Sequence, residues 1–304
     1  MSHSPTKAMR KKDHNKAGYF FVIPFVVIFL VFSLYPVLRT LYLSFMNYKG
    51  YGTPEFIGID NYVRVFNDPY FWSSLWNTIK MWSVGIVLQL SIAFALTLIF
   101  SDMKYRMRGL GFFRAVFYLP NLIAATSVSF LFKTLLDWRY GSFNQILMEA
   151  GLTGEAVNWL GSPDIAPYVV AIIGAWMWFG NSFIVLMAGV QGISKDYYEA
   201  AAIDGAGRWR VFKDITIPLL RPILLYISIT SLIGGLQTFD IPFLMSGGTA
   251  GAPSGSLQTV VMYLYKFGFE TFQVGYAAAI AYTLFFIILI VSVIQFKLMR
   301  GKED

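Results

Sequence analysis

Six stretches of this chain are long and apolar enough to cross a bilayer, and that leaves few folds open to it. A spanning helix needs roughly 20 mostly apolar residues. The stretches cover about 19–46 (Tyr19 to Met46, with Pro24 and Pro36), 75–100, 111–136, 166–190, 219–244 (Leu219 to Leu244) and 275–299. Composition agrees: 56% of the 304 residues are hydrophobic and only 13% charged, where soluble domains sit near a quarter charged. This excludes disorder, a secreted disulfide scaffold and an ordinary soluble enzyme. There is no cysteine, so no disulfide, thiolate metal site or cysteine nucleophile exists. The two histidines, His3 and His14, lie in the polar N-terminal tail. The first stretch is too long for a signal-peptide core and lacks a small-residue cleavage site behind it, so it is expected to be retained. The expected fold is all-α and polytopic. A tail over 1–18 leads into a six-span domain over 19–299, followed by a short tail over 300–304.

The net charge of +7 marks basic loops rather than a nucleic-acid partner, given so apolar a chain. One side of the membrane receives the N-terminal tail (Lys7, Arg10, Lys11, Lys12, Lys16) and the second-to-third connection (Lys104, Arg106, Arg108, Arg114). It also receives the fourth-to-fifth connection (Lys195, Arg208, Arg210, Lys213, Arg221) and the C-terminus (Lys297, Arg300, Lys302). These are seventeen basic residues, against five on the other side: Lys49, Arg64, Lys133, Arg139 and Lys266. The bias predicts that both termini are cytoplasmic. The loops about 47–74, 137–165 and 246–274 are then external. Their Trp72, Trp138 and Trp159 read as interfacial belt residues, and the Gly/Ser-rich run 246–256 as flexible.

One cytoplasmic connection, 194–218, is unlike the others. Asp196 with Glu199 three residues later reads as a capping box, and Ala200, Ala201 and Ala202 favour a helix from Tyr197 to Ile203. Gly205 and Gly207 end it, because glycine tolerates positive φ at a helix C-terminus. A second short helix, about Arg208 to Ile215, is expected to stop at Pro218. Tyr197, Tyr198, Trp209 and Phe212 are large and apolar yet lie outside any span. Two readings stay open on the residues alone: an amphipathic hairpin resting on lipid headgroups, or a knob that docks into a groove on a soluble partner.

The order Glu199-Ala200-Ala201, then Gly205, then Ile215-Thr216-Ile217-Pro218 resembles the EAA loop of bacterial ABC importer permeases, with Ile217 where leucine is usual. Elsewhere the chain resembles the carbohydrate-importer branch of that family. The supporting stretches are Phe56-Ile57-Gly58-Ile59-Asp60-Asn61-Tyr62, Asn77-Thr78, Leu119-Pro120, Trp159-Leu160, Phe239-Asp240 and Gly247-Gly248. The family usually continues Gly-Gly-Pro, whereas here Thr249 follows and proline waits until Pro253.

The resemblance implies a type I ABC importer permease in a bacterial cytoplasmic membrane. Its implied partners are a second, homologous permease, two ATP-binding subunits and an extracellular or periplasmic solute-binding protein. ATP and Mg would be held by the ATPase subunits and no cofactor by this chain. The residues agree that ATP chemistry lies elsewhere: Gly301-Lys302 is followed by Glu303, and no phosphate-binding Gly-x-x-x-x-Gly-Lys-Ser/Thr occurs. By the same resemblance, Glu199, Ala200, Ala201, Asp204, Gly205 and Pro218, with Tyr198 and Trp209, couple the permease to the ATPase. Positions aligning with sugar contacts are Gly174, Met177, Trp178 and Asn181 in the fourth span. In the fifth they are Thr230, Ile233, Gly234 and Gln237. Trp178 and Asn181 share one helix face, as do Thr230, Gly234 and Gln237. Amide and aromatic groups suit a saccharide. Ordinary interhelical packing is the competing role for them. Asp240 is expected to be structural, paired with a Lys or Arg of a neighbouring helix. Two further readings remain: an ion-coupled secondary transporter, which would need buried charged relays and inverted repeats, and an importer of polyols or glycerol-phosphate solutes.

Overall fold

The computed structural model describes residues 14–100 and 109–300. The tail up to residue 13, with His3, and Lys104, Arg106, Arg108 and residues 301–304 lie outside the described residues. Among the described residues, five helices are long and apolar enough to cross a membrane: Gly18–Ser44, Pro69–Phe100, Ala166–Gly192, Arg221–Ser246 and Val274–Met299. The sixth crossing is made of two pieces, Leu110–Leu122 and Ala125–Leu135, bent by 88°. The span expected over 111–136 is therefore present but broken. Pro120 has no N–H to give the turn before it, and Ile123 and Ala124 leave the helix with ψ of 133° and 137°. The second piece then finds its own partners. Phe132 meets Trp176 edge-on at 5.5 Å, and Lys133 Nζ donates to the carbonyl of Leu244 at 3.0 Å.

The fourth span, Ala166–Gly192, is the centre of the packing. Small residues let its neighbours come close, which is how helices associate when lipid removes the usual hydrophobic drive. A Cβ on Gly180 would sit 1.8 Å from the carbonyl oxygen of Phe117 in the third span. One on Gly189 would sit 2.2 Å from Ile223 in the fifth. Gly85 of the second span lies against the carbonyl of Ala171. Phe183, Leu186 and Met187 fill the space between these helices with Ala93, Leu220 and Ile227. Among the described residues, the first span is fastened to the sixth near its end, where the Tyr282 hydroxyl donates to the carbonyl of Val37.

At the end opposite the connection 194–218, a short helix Asp60–Phe66 is clasped to the sixth span. Asp68 Oδ2 accepts from the hydroxyls of Tyr263 and Tyr276, and the Arg64 guanidinium lies 3.8 Å from the Tyr276 ring. Burial pushes the Asp68 carboxyl up, but hydrogen bonds from Tyr263, Tyr276 and the backbone of Tyr70 and Phe71 outweigh it, and the group titrates below its ordinary value. The second span begins at Pro69, six residues earlier than the hydropathy suggested, so Asn77 and Thr78 stand about two turns into it rather than at its start. They hold the loop expected to be flexible. Asn77 Nδ2 donates to the carbonyl of Gly255 at 2.9 Å, and Thr78 Oγ1 accepts from Val260 N. Gln258 Nε2 donates to the carbonyl of Thr249 at 2.7 Å, and Thr249 Oγ1 donates to Glu270. Amide side chains of Asn77 and Gln258 thus partner the carbonyls of Gly255 and Thr249, beside the loop's own bond from the Ser246 hydroxyl to the carbonyl of Gly248.

Asp240 makes no ion pair among the described residues. It is exposed in the first turn of the helix Asp240–Ser246, where a carboxylate is favoured by the helix dipole. That corrects the expected pairing with a Lys or Arg.

Candidate functional site

The connection between the fourth and fifth spans forms a helix, a glycine turn and a second helix. The first helix, Lys195–Ile203, is capped by Ser194, whose hydroxyl accepts from Asp196 N at 3.3 Å and donates to Asp196 Oδ2 at 3.0 Å. The expected Asp196–Glu199 box is therefore corrected: the helix starts two residues earlier, and Glu199 is left exposed to solvent. Gly205 takes φ +71°, with its N–H on the carbonyl of Ala202 and Ala206 N–H on that of Ala201. That paired closure is the terminating geometry glycine makes possible.

The second helix does not stop at Pro218. Residues Arg208–Val211 pass into a wide turn over Phe212–Thr216, and Ile217–Leu219 continue from it. Pro218 stands in the first turn of that continuation, where its missing N–H costs nothing. Tyr198 joins the two arms, its hydroxyl 3.3 Å from Thr216 Oγ1. Phe212, expected on the surface, is buried; its ring meets Phe94 of the second span edge-on at 6.4 Å. Arg208 Nη2 donates to the carbonyls of Leu98 and Ile99 at 3.3 and 3.4 Å, at the C-terminal end of that span. The elbow is thus continuous with the fourth and fifth spans and fastened to the second.

What the elbow leaves free is a compact apolar tip. Ile203 is 88% exposed, Trp209 64% and Tyr197 54%. Glu199, Ala200, Asp204 and Gly205 are exposed beside them, whereas Ala201 is buried. Ile203 escaped the sequence reading because one isoleucine at a helix end carries no pattern of its own.

A cavity of about 460 Å³ lies between the second, fourth and fifth spans. Of the residues aligned with sugar contacts, Gly174, Trp178, Asn181, Thr230 and Gly234 line it. Met177 and Gln237 do not: Met177 is buried among Val170, Ile173 and Met245, and Gln237 is exposed just past the end of the helix Arg221–Leu236. Ile233 is 37% exposed and also outside the lining. The second span supplies a wall that the sequence reading lacked, through Trp82, Gly85, Ile86 and Gln89. Their spacing of three, one and three places them on one helix face. A tryptophan and a glutamine seven residues apart in an apolar run were the available signal. Ser182, Tyr226, Ser231 and Thr238 complete the polar lining, and no Asp, Glu, Lys, Arg or His takes part among the described residues.

Against known proteins, the chain matches one family model over residues 104–301, that of the binding-protein-dependent transport system inner membrane component. The chain belongs to this family. It is 35% identical to the lactose transport system permease protein of Rhizobium radiobacter over 300 residues, 98% of this chain and 99% of that one. It is 32% identical to the trehalose/maltose transport system permease protein of Thermococcus litoralis over the full length of both. A solved bacterial ABC transporter involved in alginate import shares the fold, with TM-score 0.80 and 22% identity over 96% of this chain and 97% of that one. The fold is therefore that of a type I ABC importer permease, and the chain is a multi-pass inner-membrane transport subunit. It is non-catalytic, as permease subunits of these importers are. Membership in this family does not favour the ion-coupled secondary transporter. Among the described residues no cluster of three or more His, Asp or Glu could hold a metal.

Proposed function

We propose that this permease carries a neutral sugar or oligosaccharide and couples its passage to ATP hydrolysis through the elbow at 194–218. It pairs with a second permease, takes solute from a binding protein on the outside, and meets two ATP-binding subunits on the cytoplasmic side, where both termini lie. ATP and Mg are held by those subunits. The observation that carries the reading is one of connectivity. The elbow exposing Tyr197, Glu199, Ile203 and Trp209 is attached to the second, fourth and fifth spans, and these same three helices enclose the cavity.

The mechanism follows from that attachment. The apolar tip inserts into a groove of the ATPase, and Glu199 pairs with a basic group at its rim. Gly205 and the Tyr198–Thr216 contact keep the elbow rigid. Closure of the ATPase dimer then moves the elbow as a body, and Arg208 and Phe212 carry the second span with it. A two-state rearrangement of three helices around a fixed cavity is what alternating access needs. The uncharged lining supports a neutral saccharide over a glycerol-phosphate, which would need a cation to offset its charge on leaving water. The lactose and trehalose/maltose permeases among the relatives point the same way.

Reconstitution of the whole importer tests the coupling. Glu199→Lys and Gly205→Val are each expected to lower both saccharide uptake and binding-protein-stimulated ATP hydrolysis at least tenfold. Wild-type coupled uptake in both variants would overturn the assignment.

A further inference from the structure

The fourth and fifth spans account for the polar lining expected from the family resemblance. The second span is left over, although it brings an indole and a carboxamide to the same space. Trp82 and Gln89 are one helix face apart by two turns, and both line the cavity. Each is held in place by a neighbouring helix. Trp82 Nε1 donates to Ser231 Oγ at 3.3 Å, and its ring occupies room that only a glycine leaves. A Cβ on Gly235 would come within 1.9 Å of Trp82 Cδ1. Gln89 Nε2 donates to Ser182 Oγ at 2.7 Å. One amide hydrogen is therefore committed to the fourth span. A glutamine carries a second amide hydrogen and a carbonyl oxygen besides.

We propose that Trp82 and Gln89 are specificity-determining residues: the second span forms a third wall of the solute site, where the indole offers a flat apolar face and the carboxamide a donor and acceptor for a saccharide hydroxyl. The inference rests on the reading of this cavity as the solute passage. Its chemistry is that of a polyhydroxylated, uncharged ring. Such a ring has apolar C–H faces and a rim of hydroxyls, and it matches an aromatic plate with an amide beside it. A site built to hydrogen-bond a hydroxyl discriminates against a solute lacking it, because the protein group is then left unpaired. Gln89 supplies that discrimination. The Ser182 bond fixes the amide's orientation beforehand, so little conformational freedom is lost on binding.

The competing role is plain interhelical hydrogen bonding. The experiment separates the two. The complete importer, with its binding protein, is reconstituted in proteoliposomes, and uptake of lactose, maltose and trehalose and of their monodeoxy derivatives is measured. Gln89→Leu is expected to raise KM for the transported sugar about tenfold with Vmax within twofold. That loss should shrink for the one deoxy derivative lacking the hydroxyl that Gln89 meets. Gln89→Asn and Trp82→Phe, which keep the amide and the ring, are expected to recover most of the affinity. Trp82→Leu and Gly235→Ala should both raise KM, the second by displacing the indole. Ser91→Ala, on the same span but outside the lining, serves as the control for assembly.

A uniform fall in Vmax for every sugar, with KM and deoxy selectivity unchanged, would overturn the proposal and leave the transport reading intact. Failure of the unsubstituted importer to take up any neutral saccharide would instead overturn the transport reading, and this inference with it.

Discussion

The first and fourth spans are both strongly apolar, yet they sit in opposite surroundings. The first has the higher mean hydropathy, 2.6 against 1.9, and none of its most apolar window is buried within the chain, whereas 56% of the fourth's is. Apolarity takes a helix into the bilayer but does not bring it against its neighbours, because lipid tails are as apolar as leucine. Close approach decides the rest. The fourth span offers Gly180 and Gly189 where other helices cross, and Ala171 and Ala175 along the same length. The first offers Phe20, Phe21, Phe25 and Phe32, all more than 70% exposed. Among the described residues, its hydrogen bonds to the body of the protein lie near its end, at Val37 and Ser44.

Four substitutions put that contrast at risk. The largest effect is expected at Gly180. Valine there drives a Cβ into the Phe117 backbone, which cannot rotate away. Overpacking typically costs about 1–3 kcal/mol; here the clash is with backbone, so a loss above about 4 kcal/mol is expected, and thermal unfolding in detergent should show loss of the folded permease. The matched change Gly18→Val, with nothing within 4 Å, should leave the melting curve unmoved. Phe183→Ala comes next. Its ring is fully buried against Phe100 and Phe117, so about 3–4 kcal/mol should be lost. Phe21→Ala in the first span should change stability by less than about 0.5 kcal/mol, and an equal loss in the two would sink the comparison.

A smaller effect is expected at the clasp of the opposite end. Asp68→Asn removes the charge that the Tyr263 and Tyr276 hydroxyls donate to, a cost of about 1–2 kcal/mol. The same contact sets a pH dependence. The Asp68 carboxyl titrates lower when folded than when unfolded, so its contribution is complete above about pH 4 and fades as pH falls through the folded value. Melting temperatures of the parent protein and Asp68→Asn should therefore converge in acid and diverge near neutrality. A constant difference from pH 3 to pH 7 would exclude the carboxylate as the cause.

Part of the molecule could be read from local order alone. Gly205 announces its turn because positive φ is a property of one residue, and Ala200 to Ala202 announce the helix before it. The cavity was half legible. Trp178, Asn181, Thr230 and Gly234 reach it by helix spacing, but Gln237 falls just past the end of its helix and Met177 turns into a core cluster. Phe212 looked like part of an exposed aromatic surface. Its burial depends on Phe94, more than a hundred residues earlier in the chain. The Gly/Ser-rich loop looked free for the same reason, since Asn77 and Thr78 hold it from another helix.

By itself, then, the sequence determined that this chain crosses a membrane repeatedly and carries an elbow ending in a glycine turn. Those outcomes depend on runs of apolar residues and on the conformational limits of single residues, which need no neighbour to act. Only the tertiary structure decided that the third span breaks at Ile123 and Ala124, that the elbow grips the second span, and that Trp82 and Gln89 complete the cavity. Each of those depends on which helices meet. Inside a bilayer that is settled by close packing at a few small residues and by hydrogen bonds between distant segments, not by how apolar each segment is.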